Sequence, residues 1–90
     1  MDITAQDARL KKLRMRSWRR GMKEMDLILG PFADSQLAGL SAQALQEYET
    51  LLDENDQDLY LWVTGARPGP QHLAPILARI AAASGLKPAT

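Results

Sequence analysis

The 90-residue chain has no cysteine, a single histidine and few aromatic residues, which make up 6% of it. Without cysteine it can form no disulfide and no thiolate metal site, and a reducing compartment suits it. We expect His72 to be a surface residue or a cap beside a proline-containing loop. The sequence also lacks a nucleophile elbow, an HExxH pair, a phosphate-binding loop and a dinucleotide-binding fingerprint. We therefore expect no enzymatic activity.

Long apolar runs are also missing. No run approaches the ~20 residues that span a bilayer, and the polar segment 1–12 does not resemble a signal peptide. We therefore expect a cytoplasmic protein with no membrane insertion. A chain of 90 residues, 46% of them hydrophobic, should bury about 60–65% of its unfolded surface in one modest core. The acidic run 53–58 lacks the glycine and the spaced glutamate of a calcium loop, so we expect no metal site.

The formal net charge of zero conceals an uneven distribution along the chain. Eight of the eleven basic residues lie between Arg9 and Lys23, whereas four acids lie in the run 53–58. This pattern predicts a basic amino-terminal region and an acidic patch near the middle. The basic helical face suits either a solvated surface or a docking surface for an acidic partner.

Apolar residues recur at helical spacing in five stretches, and no stretch alternates with a period of two. The predicted helices span residues 7–16, 22–38, 42–52, 57–64 and 71–84. Gly30 and Pro31 predict a kink or a break in the second helix. Ser41 suits the N-cap of the third helix and Gly65 the end of the fourth. The fold class is all-α: a compact bundle of four to five short helices in a single domain, 1–90, with a proline/glycine loop at 65–70.

The stretch Arg20-Gly21-Met22-Lys23-Glu24 is not explained by helix building. Glycine inside a helix costs about 0.5–1 kcal/mol relative to alanine. Arg20 and Glu24 stand four residues apart and can meet, but arginine before glutamate is the weaker order. The combination suits a surface that a second backbone approaches closely, beside a guanidinium and a carboxylate. On this surface, Arg20→Ala is expected barely to affect stability.

The segment 17–21 before this motif is predicted to be a junction, in which Ser17 caps and Gly21 takes either a turn or helical dihedral angles. Large apolar side chains near the motif are expected in the core rather than in a contact; these are Trp18, Met22, Met25, Phe32, Tyr60 and Trp62. The alternative function is a small, basic-faced, helical nucleic-acid-binding domain. The acidic patch and the near-neutral isoelectric point argue against it.

The five residues 20–24 match the RGxxE motif of the SdhE-type FAD assembly factors, also called succinate dehydrogenase assembly factor 2. The chain resembles that family in three further places: RMRSWRR at 14–20, LILGPF at 27–32 and ENDQDLYLW at 54–62. The resemblance covers residues 9–65, and the segment from Arg67 to the end offers no matching motif.

The resemblance implies an all-helical factor that binds the flavoprotein subunit of succinate dehydrogenase, with that of fumarate reductase as a second candidate partner. It implies promotion of covalent FAD attachment to a histidine of that subunit by positioning, with no FAD bound stably by the factor. The implied partner-binding residues are Arg16, Arg19, Arg20, Gly21, Lys23 and Glu24, and Asp56 and Asp58 are helix caps with a secondary contact role.

Overall fold

A computed structural model describes residues 4–85, in which five α-helices and two short 3₁₀ helices form without any β-strand. The α-helices are α1 (Ala5–Trp18), α2 (Lys23–Gln36), α3 (Ala42–Leu51), α4 (Asp56–Val63) and α5 (Ala74–Ala83). The 3₁₀ helices Leu37–Gly39 and Gln71–Leu73 follow α2 and precede α5. The all-α prediction is confirmed. The sequence also predicts that Ile3 packs down and that residues 87–90 form a short tail, and both predictions lie outside the described residues.

Side chains cap three of the helices at their amino ends. The Thr4 hydroxyl accepts from the Asp7 amide at 3.0 Å, and Ser41 accepts from the Ala44 amide at 3.1 Å, which confirms the predicted cap of α3. Asn55 caps α4 by accepting from the amide of Gln57 at 2.8 Å. Asp56 and Asp58 lie in the first turn of α4 but are not its cap. Their acidity still suits the positive end of the helix dipole.

The second helix continues through Pro31, which excludes the alternative of a break, and it ends at Gln36, close to the predicted end at residue 38. Proline removes one backbone donor and prevents the bond that would reach back four residues. One turn later the Ser35 hydroxyl donates to the carbonyl of Pro31 at 2.9 Å, which does not replace the lost bond to the carbonyl of Leu27. The helix then tightens into the 3₁₀ turn that begins at Leu37.

Helix α2 is at the centre of the bundle and packs against α1, α4 and α5, while α3 packs against α5. Its apolar face carries Met25, Leu29 and Phe32 into the core, each at most 2% exposed. The Phe32 ring stacks on that of Tyr48 with centroids 5.4 Å apart. Met25 and Phe32 thus confirm the core prediction, whereas Trp62 and other partly buried side chains pack at its margin.

The core also encloses the hydroxyl groups of Ser17 and Tyr48. Ser17 lies within α1, where its hydroxyl donates to the carbonyl of Leu13 at 2.7 Å and lies 2.6 Å from the hydroxyl of Tyr48. The prediction that Ser17 caps a helix is therefore wrong. Burial raises the pKa of Tyr48 to about 12. Each hydroxyl has a partner, so the pair is tolerated in an apolar environment.

Trp18 joins α1 to α2 at the surface and not in the core. Its side chain is 41% exposed, which contradicts the predicted burial. The indole ring lies against the backbone of Gly30, where a Cβ atom would come within 2.4 Å of the ring. The indole N–H donates to the carboxylate of Asp34 at 3.2 Å. The absence of a side chain at Gly30 therefore allows α1 and α2 to approach each other closely.

Candidate protein-binding site

The RGxxE residues lie at the turn between α1 and α2, and not inside one continuous helix. Gly21 has a φ of +89°, a conformation that residues with a side chain rarely adopt. This settles the sequence alternatives for Gly21 in favour of a turn. A Cβ atom at this position would meet nothing within 4 Å. Within the fold, the glycine is thus required by its dihedral angle and not by lack of space.

Arg20 lies beside this glycine, and its side chain is folded back onto the protein. The guanidinium donates from Nε to Asp56 at 2.7 Å and from Nη2 to the carbonyl of Glu54 at 2.7 Å. A third bond runs from Nη1 to the carbonyl of Leu52. Only 11% of the Arg20 side chain and 19% of that of Asp56 remain exposed. We call these contacts the Arg20 clasp.

The clasp contradicts two expectations drawn from the sequence. The first is that Arg20 is a free surface residue. Its guanidinium is instead bonded to the end of α3 and the start of α4. The second is that Arg20 meets Glu24 across one helical turn. Within residues 4–85 the ion pair of Arg20 is with Asp56, and Glu24 is exposed. Because the chain turns at Gly21, between α1 and α2, Arg20 and Glu24 do not lie on one helical face.

Asp26 is a second anchor of the turn, and sequence reasoning missed it. The backbone N–H of Arg20 donates to its carboxylate at 2.7 Å. The only signal in the sequence is an acid in the first turn of α2, which many helices carry. Arg20 is therefore bonded through its backbone to α2 and through its side chain to the α3–α4 connection.

The remaining motif residues surround the turn and face outward. Arg19, Gly21, Lys23 and Glu24 are all exposed, and so is Asp58 on α4. Met22, at the N-cap of α2, supplies no side-chain hydrogen bond to the helix. These predicted charged residues are therefore accessible to a partner, whereas Arg20 and Asp56 are largely buried in their pair with each other.

Part of the basic face of α1 is neutralised by acids from elsewhere in the fold. Arg9 pairs with Glu49 at 2.8 Å, and Arg16 pairs with Asp53 at 2.9 Å. Together with Arg20 and Asp56, these pairs connect α1 and its following turn to α3 and the α3–α4 loop. The predicted basic and acidic regions are therefore neighbours in the fold.

Three large apolar side chains on α1 and α2 are exposed to solvent. They are Met15 at 47%, Trp18 at 41% and Leu27 at 59%. Met15 and Trp18 are three residues apart on α1, and Leu27 is one helical turn beyond Lys23 and Glu24 on α2. We call them the apolar trio. Sequence reasoning missed the exposure of these residues because the helical period alone does not show which face a neighbour covers.

Other kinds of site find little support in the part of the chain that the structure describes. No group of three or more His, Asp or Glu residues there is arranged to hold a metal ion. His72 is exposed in the 3₁₀ turn before α5. None of the helices between residues 4 and 85 combines the length and the apolarity needed to cross a membrane.

These features define a small helical domain whose most distinctive surface is one ordered, glycine-containing turn. The family model described as flavinator of succinate dehydrogenase matches residues 11–84. The chain belongs to that family. The match includes α5, where no motif had been recognised in the sequence.

Proteins named succinate dehydrogenase assembly factor 2, mitochondrial, are among its relatives. The chain is 46% identical to the one from Aspergillus terreus over 67 residues, which cover 74% of this chain and 22% of the relative. It is 42% identical to the one from Schizosaccharomyces pombe over 65 residues, covering 72% of this chain and 47% of the relative. The chain thus spans less than half the length of either relative.

The names of these relatives place them in mitochondria. The cytoplasmic location expected from the sequence is contradicted by this finding. That expectation rested on composition and on the polar segment 1–12, neither of which distinguishes the cytoplasm from another reducing compartment.

Proposed function

We propose that the chain is an assembly factor that binds the flavoprotein subunit of succinate dehydrogenase, with that of fumarate reductase as a second candidate partner. It promotes covalent attachment of FAD to a histidine of that subunit. It is not itself an enzyme, and it holds no FAD stably. The family description, flavinator of succinate dehydrogenase, supports this proposal. So do the names of the relatives.

The observation that carries the proposal is the turn at Gly21. The turn is exposed, and Gly21 has no side chain to hold a second backbone away. Its neighbour Arg20 is bonded through its backbone to Asp26 and through its side chain to Asp56. An ordered turn of this kind loses little freedom on binding, which favours affinity. In this proposal Gly21 faces the partner backbone, and Arg19, Lys23 and Glu24 bond to the partner's polar groups around it.

The other predicted site residues take more distant roles in the same proposal. Asp58 is exposed and remains a secondary contact, whereas Asp56 acts through Arg20. Arg16, whose side chain stays 34% exposed despite its pair with Asp53, contributes to electrostatic steering.

The apolar trio supplies the part of the surface that an interface needs for affinity. Interfaces draw most of their binding energy from a few large side chains, ringed by polar ones that exclude water. Trp18 is already fixed by Gly30 and Asp34, so it is available as a rigid anchor. Leu27, 59% exposed and one helical turn after Lys23 and Glu24 on α2, is a second apolar candidate for the contact.

The mechanism that fits these residues is positioning. Among the described residues the charged groups of the turn bond to one another or face solvent, and none is arranged as a nucleophile with its base. A factor of this kind accelerates attachment by holding the partner in the conformation that aligns the acceptor histidine with the flavin.

The arrangement of charges disfavours the nucleic-acid alternative. A duplex or a single strand binds an uninterrupted basic surface through its phosphates. Here Arg9, Arg16 and Arg20 are each paired with an acid, and Asp53 and Glu54 lie beside the turn. Acids thus interrupt this part of the basic surface, which fits a protein partner that presents both charges.

The experiment that tests the function measures in-gel flavin fluorescence of the purified flavoprotein subunit, incubated with FAD with and without this chain. We expect the chain to raise covalent flavin, and Arg19→Ala to reduce this effect. Arg67→Ala is the matched control, since this exposed arginine follows α4 at the end opposite to Asp56. Equal covalent flavin with and without the wild-type chain would contradict the proposal.

A further inference from the structure

We propose that Asp26 and Asp56 are positioning residues for partner binding, because together they fix the Arg20–Gly21 turn in the one shape that the flavoprotein subunit recognises. This inference rests on the proposed function and assigns a role to Asp26. It also changes the role of Arg20, from a group that contacts the partner to one that presents the residues on either side of it.

The bonds to Arg20 restrain the turn from both sides. Asp26, on α2, accepts from the backbone N–H of Arg20, and Asp56, on α4, accepts from its guanidinium, both at 2.7 Å. Gly21 follows directly, and glycine has the widest backbone freedom of any residue. A glycine turn without these bonds would sample many conformations, and binding would then have to select one of them.

Burial makes these bonds strong enough to hold the turn in the unbound protein. Hydrogen bonds to ionised groups are stronger than neutral ones, and they strengthen further where water is excluded. Here the Arg20 side chain is 11% exposed and Asp56 is 19% exposed. The guanidinium is bonded from all three of its nitrogens, which leaves it little capacity to bind a partner. Recognition of acidic or carbonyl groups on the partner therefore passes to the exposed cations Arg19 and Lys23.

The clasp also fixes the distance between the basic turn and the acidic α3–α4 loop. The guanidinium bonds to the carbonyls of Leu52 and Glu54, which flank Asp53 in that loop. Two segments with opposite charge thus form one rigid surface, as a partner with a complementary charge pattern requires. Loss of the Asp56 charge removes the ionic bond of the clasp but leaves its two bonds to backbone carbonyls, and loss of the Asp26 charge weakens the bond between the turn and α2.

Isosteric variants separate a positioning role of Asp26 and Asp56 from direct contact with the partner and from a purely structural role. Asp26→Asn and Asp56→Asn each keep the side-chain shape and one acceptor while removing the charge. Asp7→Asn makes the same change in an exposed acid at the far end of α1, and is the matched control. Two quantities are measured: hydrogen exchange of the Arg20 amide in the free protein, and the dependence of flavinylation rate on factor concentration. Denaturation curves confirm that each variant is folded under the assay conditions.

We expect Asp26→Asn to speed exchange of the Arg20 amide by about tenfold. Asp26→Asn and Asp56→Asn should each raise the half-maximal factor concentration by about tenfold, because the conformation of the turn that binds the partner becomes a minor one in the free protein. The rate at saturating factor should be unchanged, because Gly21, Arg19, Lys23 and Glu24 are still present to bind. Asp7→Asn should change neither quantity.

Two results would overturn the inference and leave the proposed function in place. Faster exchange of the Arg20 amide with an unchanged half-maximal concentration would mean that the bonds to Arg20 have a purely structural role. A raised half-maximal concentration without faster exchange in Asp26→Asn would make Asp26 a direct contact. A wild-type chain that fails to promote flavinylation at all would instead defeat the proposed function, and the inference with it.

Discussion

The guanidinium of Arg20 lies 2.7 Å from the carboxylate of Asp56, a residue 36 positions later in the chain. This pair joins the turn after α1 to the first residue of α4, so the RGxxE arginine is part of the architecture that carries the site. Removing one partner of a buried ion pair leaves the other charge uncompensated, which costs more than the pair contributes when intact. The arginine therefore links the stability of the domain to the shape of its surface.

Truncating this side chain should destabilise the domain. Arg20→Ala leaves Asp56 and two backbone carbonyls without their donor, and we expect a loss of about 3 kcal/mol in the free energy of unfolding. This reverses the expectation from the sequence that the change is nearly neutral. Arg19→Ala, at the exposed neighbour, should stay within about 0.5 kcal/mol. Urea denaturation midpoints of the two variants decide between the two views, and equal midpoints would mean that the clasp contributes nothing.

Local patterns predicted the helices well. The 3.6-residue period of apolar positions, the cap at Ser41 and the stop at Gly65, whose φ is +81°, all lie where the sequence indicated. Predicted α1 was too short at both ends because Thr4 caps it and the buried Ser17 extends it to Trp18. Short-range signals of this kind depend only on neighbouring residues, so one sequence is enough to show them.

The site was predicted only in part, because its defining contacts are long-range. The motif located the turn, and the charges of Arg19, Lys23 and Glu24 indicated a surface. Nothing in the order of residues shows that a carboxylate 36 positions away binds Arg20, or that Asp26 accepts from its backbone. Such pairings depend on how helices pack, and helical periodicity does not determine that.

The contact between Trp18 and Gly30 gives a second test of packing. Gly30→Ala gains about 0.5–1 kcal/mol of helix propensity, but its Cβ atom collides with the indole, and overpacking costs about 1–3 kcal/mol. We expect a net loss of about 1 kcal/mol in unfolding free energy and a red shift of tryptophan emission. Gly39→Ala is the control, since a Cβ atom there meets nothing within 4 Å. A Gly30→Ala protein as stable as that control would show that the ring moves aside freely.

The buried hydroxyl of Tyr48 predicts a dependence of stability on alkaline pH. Burial raises its pKa from 10.0 to about 12, so between those values the folded state keeps a proton that the unfolded state loses. The stabilisation is complete below pH 10 and falls as the pH rises through this window, by roughly 2–3 kcal/mol in all.

Tyr48→Phe removes the titrating group and tests this dependence. The variant should lose about 1 kcal/mol near neutral pH, since Ser17 loses one of its two hydrogen-bond partners and keeps the carbonyl of Leu13. Its stability should then fall less steeply than that of the wild type between pH 10 and 12. Tyr60→Phe, at a partly buried position, should keep the wild-type slope. Parallel curves for Tyr48→Phe and the wild type would place the ionisation elsewhere.

Substitutions of Gly21 separate backbone strain from collision with a partner. With φ at +89° any L-residue is strained, and we expect Gly21→Ala and Gly21→Arg to lose a similar amount, about 1–2 kcal/mol. The sequence alone allowed helical angles here, for which no loss was expected. Gly21→Asn should lose less, since asparagine tolerates positive φ better than alanine.

Binding of the flavoprotein subunit should rank these variants differently. Space around the glycine is open within the domain, so the arginine side chain adds no internal clash but projects from the surface that we assign to the partner. Gly21→Arg should therefore abolish binding and flavinylation, whereas Gly21→Ala, equally destabilised, should retain a part of both. Melting curves and flavinylation assays on the same preparations measure the two effects. Equal activity of the two variants would restrict the glycine to its backbone role and remove it from the contact surface.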